Sequence, residues 1–253
     1  MEIKTLCSVG MMIMACIVLT ANATEMVEVA VDSERWQPAG GRVVEHLGRS
    51  AFAGGATLSD VEFSDGSIEV DVAVTGATSY PGIDFRITSE GDGESVYLRP
   101  HRIARYGDGV QYAPKFNSVS CWQLYNGHGA TAGVDIPAGE WFTLRLEVRG
   151  DRARVFLGDS ERPVLVIDDL KGDFSAGSIG VRGPADGSTF FSSFRYSLEP
   201  PGDFGVEPWR DRPPGVITGW QVSEPLASEM ADADELPSEE VLQAMTWSPA
   251  EVE

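Results

Sequence analysis

Residues 140–157 read EWFTLRLEVRGDRARVFL. Phe142, Leu144, Leu146 and Val148 fall on one side of an extended chain, and Arg145, Glu147 and Arg149 on the other. That period of two marks a strand with one dry face and one wet face. Gly150-Asp151 supplies a turn, since both residues tolerate positive φ. Ala153, Val155 and Leu157 then resume the alternation, so the stretch predicts an antiparallel hairpin.

The same pattern extends in both directions. Residues 67–75 (SIEVDVAVT) alternate Ile68, Val70, Val72 and Val74 with Glu69, Asp71 and Ala73. Residues 80–88 set Ile83, Phe85 and Ile87 against Asp84 and Arg86, and 96–101 set Val96 and Leu98 against Tyr97, Arg99 and His101. Residues 164–167, 177–182 and 189–198 read as further strands. Asp65-Gly66, Asp92-Gly93, Asp108-Gly109 and Asp186-Gly187 punctuate them as turns. No window before residue 198 carries a helical stripe. Many short strands without intervening helices predict an all-β, two-sheet antiparallel β-sandwich of jelly-roll type.

Of the 253 residues, 39 are acidic and 19 basic, a net charge of −20, which excludes a general nucleic-acid surface and argues against adhesion to anionic lipid. Residues 9–20 (VGMMIMACIVLT) form an apolar run of 12 after Lys4, too short to span a bilayer at about 20 residues. Ala21-Asn22-Ala23 is an A-x-A cleavage signal. Residues 1–23 therefore read as a signal peptide, and the mature protein as exported, periplasmic or extracellular. Lipidation at Cys16 is the rival, but Ile17, Val18 and Leu19 continue the apolar run past it. Cleavage leaves Cys121 alone, so no intramolecular disulfide forms, and Cys121 reads as a buried apolar residue beside Trp122. Residues 24–198 form the jelly-roll domain, 199–215 a Pro-rich linker, and 216–253 an acidic tail or an incomplete second module. Residues 199–253 hold 13 acids and two bases, a surface suited to a protein partner.

Several stretches resemble the concanavalin A-like lectin/glucanase jelly rolls. The hairpin from Gly139 to Leu157 is similar to their central hairpin, and Gly177-Ser178-Ile179-Gly180-Val181-Arg182 with 190–196 (FFSSFRY) to their closing strands. Laminin-G-like domains and the 3-keto-disaccharide hydrolase-like domains share these patterns. Pro81-Gly82-Ile83-Asp84-Phe85-Arg86 resembles the Gly-Ile-x-x-Arg strand of the latter group. The resemblance covers about residues 26–198 and implies a fold that hosts lectins, hydrolases and adhesion modules. The hydrolase-like group carries a Glu on the strand after its Gly-Ile strand; on 96–101 the corresponding positions hold Tyr97 and Arg99. The E-x-D-x-x-E of retaining glucanases is absent after Glu69-Val70-Asp71. No G-x-S-x-G, H-E-x-x-H or P-loop occurs.

If three consecutive strands are neighbours, one face carries Glu69, Asp71, Asp84, Arg86, Tyr97, Arg99 and His101. Arg and aromatic side chains suit a sugar: guanidinium groups bond hydroxyls, and rings stack on pyranose faces. The expected ligand is carbohydrate, held by Arg86, Tyr97, Arg99 and His101, with Trp122 and Gln123 from the turn-rich stretch 101–132. A glycosidase on the same face is the alternative, with Asp84 or His101 as general acid/base. An adhesion or structural module is the third reading. No cofactor is expected, apart from calcium on the SEGDGES loop through Glu90, Asp92 and Glu94.

Overall fold

The structure, a computed structural model, describes residues 25–172 and 176–205. The stretch read as a signal peptide, the rest of the stretch read as a linker from residue 206 and the acidic residues 216–253 lie outside the described residues. Among the described residues no helix is long and apolar enough to cross a membrane.

Among the described residues, fourteen strands form one curled antiparallel sheet whose two halves close over a shared core. The first layer runs β12 (Leu165–Ile167), β11 (Arg152–Leu157), β10 (Trp141–Arg149), β4 (Gly66–Val74) and β14 (Thr189–Ser197), with β1 (Val27–Val29) also on β14. The second runs β13 (Gly177–Arg182), β5 (Gly82–Ile87), β6 (Gly93–Leu98), β7 (Val110–Phe116) and β8 (Val119–Ser120), with β9 (Thr131–Ala132) also on β7. β3 (Arg49–Phe63) joins the layers: Phe52 and Ala53 pair with β14, and Ala56–Leu58 pair with β13. β2 (Trp36–His46) follows β3 along its length. Gly54, at φ +107°, sits between the two pairings of β3, where a Cβ would meet the Gly41 Cα at 2.7 Å. Only glycine fits so close a backbone approach.

The alternation read from sequence is the one that closes the core. Ile68, Val70 and Val72 on β4 and Leu144, Leu146 and Val148 on β10 are fully buried. They pack in one cluster with Ile83 and Phe85 on β5, Val96 and Leu98 on β6, and Tyr112 on β7. Trp36 lies in this cluster, and Trp141 packs half-buried against a small cluster of Ala51, Ala53, Ala73 and Phe190.

Two expectations change. β4 lies between β10 and β14, not beside β5, because the chain crosses from one layer to the other over residues 75–81. Residues 199–205, read as the start of a linker, dock on the first layer. Phe204 is buried beneath the Arg154 guanidinium at 4.3 Å, and Arg149 donates to the Pro201 carbonyl at 2.8 Å.

Candidate functional site

The outer face of the second layer is built by register. Asp84 on β5 faces Ser95 on β6 and Gly180 on β13, and Ser95 in turn faces Ala113 on β7. Antiparallel partners share a face, so Asp84, Tyr97, Gln111, Lys115 and Arg182 all point away from the core. Of these, Asp84, Lys115 and Arg182 line a groove of about 410 Å³, together with Thr57, Tyr80 and neighbouring residues.

Asp84 is the hub of this groove. Lys115 Nζ donates to its Oδ2 at 2.5 Å, Ser95 Oγ donates to its Oδ1 at 2.5 Å, and Arg182 Nε lies 3.9 Å from Oδ1. The Arg182 guanidinium rests 5.1 Å from the Tyr97 ring centroid, and its buried Nη1 has no hydrogen-bond partner among the described residues. Tyr80 stands 44 % exposed at the rim, edge-on to Tyr97 at 6.0 Å.

Beside the groove a second polar set ties the sheet to its loops. Gln111 is buried on β7. Its Oε1 accepts from the Tyr97 hydroxyl at 2.8 Å and from Arg99, while its Nε2 donates to the Trp122 carbonyl at 2.8 Å and to that of Tyr125. Arg99 also donates to the Asp108 carbonyl at 2.9 Å and lies 5.1 Å from the Tyr97 ring and 5.9 Å from that of Trp122. Burial raises the Tyr97 phenol above its ordinary range, with Arg99 and Arg182 pulling the other way. His101 lies past the end of β6, edge-on to Tyr80 at 5.6 Å. Burial, then the charges of Arg102 and Arg99, lower its imidazole below the usual value, so near neutral pH it is an uncharged base rather than an acid.

The sequence-derived set is thus split. Asp84, Tyr97 and Arg99 share one face, with His101 at its edge, Trp122 46 % exposed beside Arg99 and Gln123 exposed next to it. Arg86 leaves that face. The β5–β13 register slips by one residue between Asp84 and Ile87, and Arg86 itself sits at φ +50°. A bulge re-aims a side chain, and here it turns Arg86 inward to Glu94 at 3.3 Å, the Ser64 carbonyl at 2.8 Å and the Gly150 carbonyl at 2.7 Å. Glu69 and Asp71 lie on the other layer, paired with Arg195 at 2.8 Å and Arg49 at 2.7 Å. Cys121 is half-buried rather than buried.

Strand β6 begins at Gly93, so a Glu does lie on the strand after β5. It is Glu94, fully buried on the core side, accepting from the Tyr112 hydroxyl at 2.9 Å and the Gly172 amide at 3.1 Å. Burial raises its carboxyl above the ordinary range, the Gly172 amide, Tyr112 and Arg86 opposing. Facing inward, Glu94 is lost to the calcium loop, and among the described residues no group of three or more His, Cys, Asp or Glu could hold a metal ion.

Lys115, Arg182, Gln111 and Tyr80 were not anticipated. Tyr80 was visible as the start of the 80–88 stretch. Lys115 and Gln111 lie on a strand whose alternation is interrupted by Pro114, and Arg182 reaches the groove only through the pairing of β13 with β5.

The sequence profile described as 3-keto-alpha-glucoside-1,2-lyase-like domain matches residues 25–195, a span from before β1 into β14. Among solved structures, the Crh5 transglycosylase in complex with NAG is similar at 14 % identity and a TM-score of 0.50, over 70 % of this chain and 85 % of that one. The carbohydrate binding module CBM66 from Bacillus subtilis is similar at 19 % identity and a TM-score of 0.49, over 64 % and 95 %. The β-glucanase of Bacillus licheniformis is similar at 12 % identity and a TM-score of 0.48, over 71 % and 100 %. At these identities the likeness concerns the jelly-roll fold alone. No curated protein sequence matches the chain.

Proposed function

The chain belongs to the family of 3-keto-alpha-glucoside-1,2-lyase-like domains, and from that premise we propose that it binds carbohydrate in the groove of the second layer. One observation carries this reading: an exposed ring, Tyr80, stands over a groove whose floor holds Asp84, Lys115, Arg182 and Thr57. The ring offers a stacking surface for the apolar face of a pyranose, and the charged groups bond its hydroxyls with fixed directions. Residues 9–23 support export of the domain, and the mature mass is expected to begin at Thr24.

Titration of the purified protein against a glycan array and then by calorimetry tests the groove. Tyr80→Ala is expected to weaken binding by about threefold to tenfold, the worth of one aromatic contact. Asp84→Ala is expected to cost more than about tenfold, because it removes an acceptor and leaves Lys115 and Arg182 without their shared partner. Wild-type affinity in both variants would move the binding site elsewhere.

A second reading, an enzyme of the glycoside-cleaving kind, is favoured by the same carboxylate between two cations. In a 1,2-elimination on a 3-keto glycoside, Asp84 would take the C2 proton. The C2–H electrons form the C1–C2 double bond, the C1–O bond breaks, and the departing oxygen takes a proton from solvent. Lys115 and Arg182 would hold the charge that develops on the keto oxygen. Asp84→Asn is then expected to slow product release by about 10²- to 10⁴-fold, followed by chromatography of a 3-keto-disaccharide digest. Unchanged turnover would remove Asp84 from this role.

A further inference from the structure

We propose that the glycan taken by this groove carries an acidic group, a carboxylate or a sulfate ester, seated between Arg182 and Lys115. The proposal rests on the carbohydrate reading and deepens it.

Among the described residues, the charged side chains lining the groove are one acid, Asp84, and two bases, Lys115 and Arg182. On a chain of net charge −20 a groove with surplus positive charge does not follow from composition. Asp84 is already committed. Its two oxygens accept from Lys115 and Ser95, both at 2.5 Å, so it holds Arg182 only through Nε at 3.9 Å. Arg182 Nη1 is buried and has no acceptor among the described residues. The guanidinium lies 5.1 Å from the Tyr97 ring centroid. Across Tyr97 the other guanidinium, Arg99, is satisfied by the Asp108 carbonyl, the Tyr97 hydroxyl and Gln111, so it does not compete for a ligand. A neutral hydroxyl would meet one donor of Arg182 and leave the surplus charge uncompensated. A planar or tetrahedral oxyanion meets both, since guanidinium is a fork of parallel N–H donors matched to such groups.

The test compares charge at constant stereochemistry. Trigalacturonic acid, its methyl ester and a sulfated galactan disaccharide are titrated into the purified full chain, within an array pairing acidic glycans with neutral counterparts. The expected result is that at least one acidic glycan binds about tenfold or more tighter than its neutral partner. That margin should shrink as salt rises from 0.05 to 0.5 M and collapse in Arg182→Gln and in Lys115→Gln. The carboxylate and sulfate arms identify the source of the oxyanion. Equal binding of acids and neutral partners overturns the proposal and leaves the carbohydrate reading standing. Binding of neither class overturns both.

Discussion

Arg86→Ala is expected to destabilise the domain by about 3–5 kcal/mol at neutral pH, the usual consequence of removing one partner of a buried ion pair. For a protein of this size that is a fall of about 10 °C in melting temperature. The side chain of Arg86 is 5 % exposed and that of Glu94 is 0 %. Without Arg86, Glu94 keeps only Tyr112 and the Gly172 amide, and the Ser64 and Gly150 carbonyls lose their donor. The loss depends on pH with a definite sign. Burial already holds the Glu94 carboxyl above the ordinary range, with Arg86 drawing it down; removing Arg86 raises it further. A carboxyl whose folded-state value lies above the unfolded value of about 4.3 contributes fully below that value. That contribution is lost as pH rises towards the folded value. The variant's deficit should therefore be largest near pH 7.5 and shrink towards pH 5, read from urea midpoints at each. Glu94→Gln, which retains an oxygen for Tyr112 and Gly172, should show no such dependence in that window. A deficit of equal size at both pH values would mean that removing Arg86 does not change the protonation of Glu94 between them.

The same bulge explains why the sequence revealed the sheet better than the site. β4, β5, β10 and β11 each bury one face and wet the other, so their alternation is written in residue type. β3 escapes that signal, since Ala51 through Ala56 are buried without a break. β7 escapes it because Pro114 argues against a strand; the position is tolerated because β7 pairs fully with β6 on one edge only, its other edge meeting just the two-residue strands β8 and β9 on either side of Pro114. The site needed more. Ile83, Phe85 and Ile87 alternate as if β5 were regular, and nothing in them marks the slip that turns Arg86 inward. Placing Glu69 and Asp71 beside Asp84 assumed that consecutive strands pair, which holds in roughly two cases of three and fails between β4 and β5. Asp84 and Tyr97 were legible because β5 and β6 do pair and stay in register from Gly82 to Phe85, and Arg99 follows directly after β6 on the side of Tyr97. Lys115 and Arg182 become their neighbours only through the order of the sheet.

Gln111→Ala is expected to cost about 2–4 kcal/mol and to detach the 121–125 turn from the sheet, since each buried polar group left unmet costs about 1–3 kcal/mol. Its amide orientation is fixed by its partners: Arg99 and the Tyr97 hydroxyl donate on one side, and two backbone carbonyls accept on the other. Truncation strips all four at once. The Trp122 and Tyr125 carbonyls lose the side-chain donor that holds them to β7, and Arg99 loses the acceptor that keeps it between Tyr97 and Trp122. Trp122→Ala makes the contrast, because a ring 46 % exposed contributes little to the core; its stability should stay within about 1 kcal/mol of wild type. The two variants should diverge in limited proteolysis, with Gln111→Ala cut near residues 121–125 and Trp122→Ala resistant. Glycan affinity should fall in Gln111→Ala through Tyr97, which supports Arg182 in the groove. A Gln111→Ala protein with native stability and an intact turn would show that the sheet and its loops hold this face without the amide.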